Sequence, residues 1–224
     1  MDISYFFNRR LAFIRQLYFT SSAPYVEQKR KIEAKEEPFV PRYSEDAEPA
    51  FLEEWIEADD SLHVLAYSCV SMLAAALHLY LETWVSESRI PVDETLKKSF
   101  KKIGWFTGYR THYSQRFTID FETCPENLGL LEEVVLARNR VEHPLSITSL
   151  RTQYKDADLK KLSHPFFVDE REAALFADAE EGEKAWLIPP TLHVTEKQLL
   201  AAIAVVESFV KWFESEIESR VYAQ

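Results

Sequence analysis

Glycine and cysteine are the scarce residues here: four glycines and two cysteines in 224 positions. With so few glycines there is no phosphate-cradling loop, no nucleophile elbow and little capacity for the tight turns of a β-rich fold. Cys69 and Cys124 stand alone, without metal-ligand spacing or a disulfide framework, so the expectation is a reduced cytoplasmic protein. Long hydrophobic runs are also missing. The best candidate, 64–85, contains His78 and Glu82 as well as Ser68, Cys69 and Ser71, which argues against a membrane span. The apolar N-terminus holds Arg9, Arg10 and Arg15, unlike a cleaved signal peptide. Basic charge is short as well: 26 Lys and Arg against 37 Asp and Glu give a net charge of −11. That balance excludes a protein that coats nucleic acid through a broad basic surface, but not an enzyme with a local basic funnel.

What is abundant is apolar residues at helical spacing. Ile3, Phe6, Phe7, Leu11, Ile14, Leu17 and Tyr18 predict a first helix over 3–19. A charged second helix is expected from Pro24 to before Pro38, then an extended, proline-bearing connector over 36–49. A short helix over 50–57 follows, with Asp59, Asp60 and Ser61 as a break or an N-cap. The segment 62–88 is apolar nearly all round at its centre and reads as the central rod of a bundle. A basic helix over 93–103 precedes Gly104 and Gly108, which should loosen the chain into an aromatic loop. Pro125 suits the first turn of a helix whose Leu128, Leu131, Val134, Val135 and Val141 are spaced for burial.

Thr195 and Gln198 form a capping box for the last helix, with Leu199, Ile203, Val206, Val210, Phe213 and Ile217 inward. Before it, 145–194 reads as a partly irregular insertion packed on the bundle, with Phe166–Val168 and Trp186–Ile188 as candidate paired strands. The fold class is therefore all-α: an up-and-down bundle in one domain over 1–224.

Chemistry concentrates at the end of the helix before Pro144, in Leu136-Ala137-Arg138-Asn139-Arg140-Val141-Glu142-His143. At about 100° per residue, Asn139 and His143 lie one turn apart on one face, and Arg138 is long enough to swing toward His143. An obligate cation beside an imidazole suits chemistry on phosphodiesters. The same residues at a helix C-terminus would equally serve to compensate the helix dipole. From Lys97 to Arg116 the chain carries cations, among them Lys101, Lys102 and Arg110, and no acid. Trp105, Phe106, Tyr109, His112 and Tyr113 are interleaved with them: a phosphate and base grip, or a solvated helix beside packed aromatics. Six histidines form no ligand pair at metal spacing, so neither a metal nor a cofactor is expected. His78 and Glu82 share a helix face as a polar pair inside the bundle.

In a helical bundle, Arg138-Asn139-x-x-x-His143, with Leu136-Ala137 before it and Ser71–His78 on the central helix, resembles the HEPN superfamily. Its members share an Arg-x(4–6)-His motif with a polar residue, often Asn, after the arginine. The resemblance implies a metal-independent endoribonuclease, commonly a toxin or defence effector, working as a homodimer whose motif helices face each other. It implies His143 as general base or acid, Arg138 stabilising the phosphate, and Asn139 orienting one of them. Arg140, Lys101, Lys102 and Arg110 would then hold the RNA, and a neutralising partner protein is an implied partner. Some members carry a tyrosine two residues after the histidine, as a modification target; that position is Leu145 here. A non-catalytic adaptor binding RNA or protein in the same groove is the alternative, and a nucleotide-binding regulator a third.

Overall fold

The computed structural model describes residues 2–43, 48–143, 150–162, 165–172, 174 and 190–221. Its elements are α1 (Ile3–Ala34), α2 (Leu52–Ser88), α3 (Glu94–Ile103), α4 (Trp105–Phe117), a 3-10 turn (Phe121–Thr123), α5 (Leu128–Glu142), the short α6 (Asp156–Leu159) and α7 (Glu196–Val221). The class is all-α, and no β-strand occurs among the described residues. Phe166–Val168 is a run of bends, and its expected partner 186–188 lies outside the described residues. A lone antiparallel bridge, Gln153 with Thr191, is what pairs the two arms of the insertion.

Two expected helix breaks are absent. α1 runs through Pro24 because it stays packed on both sides of it: Phe7, Leu11, Ile14 and Tyr18 are buried before the proline. After it, Gln28 donates to the Glu54 carbonyl at 3.1 Å and Lys29 meets Asp59 at 2.5 Å. These tertiary contacts offset a proline penalty of about 3 kcal/mol. α2 likewise continues past Asp59–Ser61, since Ala58, His63 and Ala66 are buried there and tie the helix to its neighbours. A third expectation, the aromatic loop, is also corrected. Trp105–Phe117 is helix α4, joined to α3 through Gly104 at φ 87°. Gly108 is needed because the Phe100 ring occupies the space where a Cβ would stand, 2.1 Å from ring carbon Cε1.

α2 is the central rod, packed against α1, α4, α5 and α7. α1 and α5 both run antiparallel to it: Phe7 meets Tyr80 and Lys29 meets Asp59, while Glu142 meets Ser71 and the earlier Arg138 acts on the later His78. By length and composition α2 could also cross a membrane; about half of its most apolar window (56%) is buried in the bundle, the arrangement of a core helix. The six inward residues expected of α7 are all buried, and its Thr195–Gln198 box closes with bonds of 2.9 and 3.2 Å. The described insertion joins the same core through Tyr154, Phe167, Leu192 and Val194. Phe6, expected inside, is exposed.

Candidate functional site

α5 begins at Leu128, where Asn127 Oδ1 accepts from the Gly129 and Leu130 amides at 3.0 and 3.3 Å; Pro125, expected in its first turn, lies in the bend before this cap. Its inner face buries Leu130, Leu131, Glu133, Val134, Val135 and Ala137, which leaves Arg138, Asn139, Glu142 and His143 on the last turn. His143 is the C-cap, its amide donating to the Asn139 carbonyl at 3.2 Å. Its side chain is exposed and takes no hydrogen-bond partner among the described residues.

The Arg138 guanidinium is half-buried. Nε meets Glu142 Oε1 and Nη2 meets Glu142 Oε2, both at 2.7 Å, and Nη1 donates to Asn139 Oδ1 at 3.4 Å. Ser71 on α2 donates to the same Glu142 carboxylate at 3.2 Å. The motif arginine, the amide and a carboxylate thus form one network against α2. Along α2 the line Ser71, Ala75, His78, Glu82 follows the i, i+4, i+7, i+11 spacing of a single helix face, and that face looks toward α5 and α4.

His78 therefore belongs to this face. Its ring stands edge-on to Trp105 at 4.7 Å and Tyr109 at 5.6 Å between centroids. Burial holds its pKa below the ordinary imidazole range, Glu82 pulls upward, and the Arg138 charge pushes down again. Burial and the Arg138 charge together favour the neutral form of this imidazole. The spacing of His78 and Glu82 was visible in the sequence; that α5 would bring Arg138 alongside them was not.

The other expected binding residues lie elsewhere. Arg140 points away from Arg138: its Nε faces Asp158 Oδ2 at 3.2 Å, with the side chains 13% and 8% exposed. Its carbonyl accepts from Thr152 Oγ1 at 3.3 Å, so Arg140 ties α5 to the insertion. Arg110 donates to Glu132 Oε1 at 3.1 Å and lies over the Phe106 and Phe121 rings. It lines a polar hollow of about 350 Å³ with Thr107, Thr111, Ser114 and Gln115. Lys101 and Lys102 are exposed on the last turn of α3, with no contact to Arg138 among the described residues. The interleaved aromatics are mostly core: Phe106, Tyr109, His112 and Tyr113 are buried, and Trp105 is partly so.

Two further polar clusters are buried on neighbouring faces. Glu133, on the hidden side of α5, accepts from Tyr154 Oη at 2.6 Å and from the Phe166 and Phe167 amides at 2.7 and 2.8 Å. Burial raises its pKa, and the donors from Phe167, Tyr154 and Phe166 counteract the rise. At the N-terminal part of α2, His63 Nδ1 lies 2.8 Å from the Asp59 carbonyl and must donate to it. Its Nε2 lies 3.1 Å from His193 Nδ1, so the two imidazoles share one hydrogen bond. Asp59, Asp60 and His63 are close enough together to hold a metal ion. Lys29 and Arg151, however, already neutralise the two carboxylates, at 2.5, 2.6 and 3.4 Å. A divalent ion would enter a cluster without net negative charge, so the arrangement fits an ion-pair hub fastening α1, α2 and the insertion.

Comparison with protein-family models, curated proteins and solved structures finds no match to this chain.

Proposed function

We propose that this chain is a HEPN-like, metal-independent endoribonuclease of the reducing cytoplasm, serving as a toxin or antiviral effector. The observation that carries the reading is the placement of Arg138, Asn139 and His143 on the last turn of α5, where His143 is exposed and the half-buried Arg138 donates to Asn139. In the proposed step the RNA 2′-hydroxyl attacks the adjacent phosphorus while His143 takes its proton. The P–O5′ bond breaks, and a proton returns to the leaving 5′-oxygen, leaving a cyclic phosphate and a free 5′-hydroxyl. Arg138 stabilises the extra negative charge on the phosphate through its planar donors, and Asn139 orients it. Two copies pair with their α5 ends facing, so that the RNA meets a composite site, and a neutralising protein regulates it.

A second reading is favoured by the Arg138–Glu142 pair, which leaves the guanidinium already neutralised. On that reading the face binds RNA or a protein without cutting. Incubating the purified protein with RNA in chelator separates the two. Cleavage that falls by about 10²-fold or more in both Arg138→Ala and His143→Ala, with unchanged circular dichroism, supports the nuclease. Binding without cleavage selects the adaptor, and cleavage unaffected by both substitutions removes the site assignment. Light scattering of wild type tests the dimer, for which a monomer at micromolar concentration is the contrary result.

A further inference from the structure

Phe6 and Phe13 lie one heptad apart on α1 and are 52% and 55% exposed, in a helix whose neighbouring Ile3, Phe7, Leu11 and Ile14 are buried. Between them and the middle of α2 runs a groove of about 770 Å³, lined on the α2 side by Met72, Ala75, Leu79 and Thr83. Met72, Leu79 and Thr83 sit one position, about 100° of rotation, from Ser71, His78 and Glu82, and Ala75 lies where the two faces meet, so the groove opens on the α1 side of the rod and the motif on the α5 side. Leu79 is itself 42% exposed.

The groove also has a sign. Its lining contains Arg9 and Arg10 and no acidic side chain, in a chain of net charge −11. Elsewhere on the bundle Arg15, Arg110, Arg138 and Arg140 each meet a carboxylate. Arg9 and Arg10 meet none among the described residues; Arg9 lies over the Tyr5 ring, 5.8 Å from its centroid. Apolar side chains held open beside unmatched cations are the mark of a recognition surface rather than a solvated face.

We propose that this groove is a docking site for an amphipathic helix of another polypeptide, with acidic residues flanking its apolar stripe. The walls are two helices and no sheet edge is offered, so a helix laid in ridge-to-groove fashion is the element that fills the space. The stretch from Ile3 to Ile14 rises about 16 Å, which accepts about three helical turns and apolar anchors at i, i+3 or i+4, and i+7. The acidic flank answers Arg9 and Arg10. A second copy docked α1 to α1 would set those arginines against their equivalents. A bilayer would be met by a convex surface, whereas these apolar atoms line a channel.

The test uses the full chain and a fluorescein-labelled synthetic helix of about five turns, with leucines at the anchor spacing and glutamates flanking them. Its controls are the scrambled peptide and the same peptide with lysine for glutamate. Fluorescence anisotropy should show saturable binding of the acidic peptide, about tenfold or more tighter than either control. The exposed substitutions Arg9→Glu with Arg10→Glu, and separately Leu79→Glu, should each weaken it about tenfold or more with circular dichroism unchanged. Equal binding of all three peptides, or binding indifferent to these variants, overturns the proposal. So does a dimer that Leu79→Glu abolishes, which would assign the groove to a second copy. Flotation with phosphatidylserine vesicles in the absence of peptide binding overturns it too, in favour of a lipid surface. None of these readouts involves RNA cleavage, so the nuclease reading and the docking site stand or fall separately.

Discussion

Glu142 chelates Arg138 across one turn of α5, with both nitrogen–oxygen distances at 2.7 Å, and Ser71 of α2 donates to the same carboxylate. The pair is partly exposed, so it contributes at most a few tenths of a kcal/mol to stability. Its effect on function is larger, because a guanidinium held this way meets a phosphate only if the phosphate displaces or joins the carboxylate.

Replacing Glu142 with Gln should therefore leave the denaturation midpoint nearly unchanged, within about 0.5 kcal/mol, while tightening RNA binding. Affinity measured at two salt concentrations checks this. The variant should gain affinity and show a steeper salt dependence than wild type, because one more cation is available to phosphate. Weaker binding in Glu142→Gln would mean that the carboxylate positions Arg138 rather than masking it.

Glu133→Gln should destabilise the fold by about 1–3 kcal/mol. The carboxylate accepts from Tyr154 and from two successive backbone amides, whereas a carboxamide offers one acceptor oxygen and turns its NH₂ toward a donor. Urea denaturation reads the change. Because burial raises the Glu133 pKa, its contribution is full below the ordinary carboxylate range and declines as pH rises through the shifted value. The cost of the Gln variant should accordingly be larger at pH 4 than at pH 7; the reverse order would mean that the three donors outweigh burial at Glu133.

Gly108→Ala should destabilise by about 1–2 kcal/mol in spite of alanine's better helix propensity, because the new methyl would collide with the Phe100 ring. In a Phe100→Ala background the same change should turn stabilising, by about 0.5–1 kcal/mol. A double-mutant cycle in urea gives the coupling directly, and additivity would disprove the contact.

Acidification should weaken the fold. His78, His112 and His193 are each held below the ordinary imidazole pKa of about 6.5, chiefly by burial. Arg138 adds to this at His78 and Arg116 at His112; at His193 it is His63 and then Arg151, with Asp169 and Asp59 pulling the other way. For a depressed imidazole the stabilisation is complete above the unfolded value and is lost as pH falls below it. Unfolding free energy should drop between pH 7.5 and 5.5, and His112→Leu should remove part of that slope. Because the raised Glu133 pKa acts in the opposite sense, the decisive reading is the difference between wild type and variant: an unchanged slope in His112→Leu would contradict the burial of that ring.

How much of this was legible in the sequence varies by element. α7 is readable almost whole, because Thr195 and Gln198 stand three positions apart in the chain and its inner residues repeat at helical spacing. The two false breaks came from local signals, Pro24 and Asp59–Ser61, that were overruled by distant partners: Lys29 reaches Asp59 thirty positions away. The aromatic segment looked like a loop because Gly108 is a helix-weakening residue when the Phe100 ring above it is out of sight. At the candidate site, the shared turn of Arg138, Asn139 and His143 followed from spacing alone. The divergence of Arg140 did not, since its partner Asp158 lies on another element. The His78–Glu82 pair is legible from spacing, and Glu82 does act on His78; the influence of Arg138 across the interface requires the packing of α5 on α2.

Glu133 and Arg140 give α5 a second occupation besides presenting the motif. Both reach to its hidden side and grip Thr152, Tyr154, Asp158, Phe166 and Phe167, so this rod and that strap are expected to open as one unit. Amides of the final α5 turn and of Phe166 and Phe167 should trade their protons with solvent at one common rate. A lesion in the strap would then silence Arg138 without touching it, and a screen for loss of activity would recover changes scattered well beyond the motif.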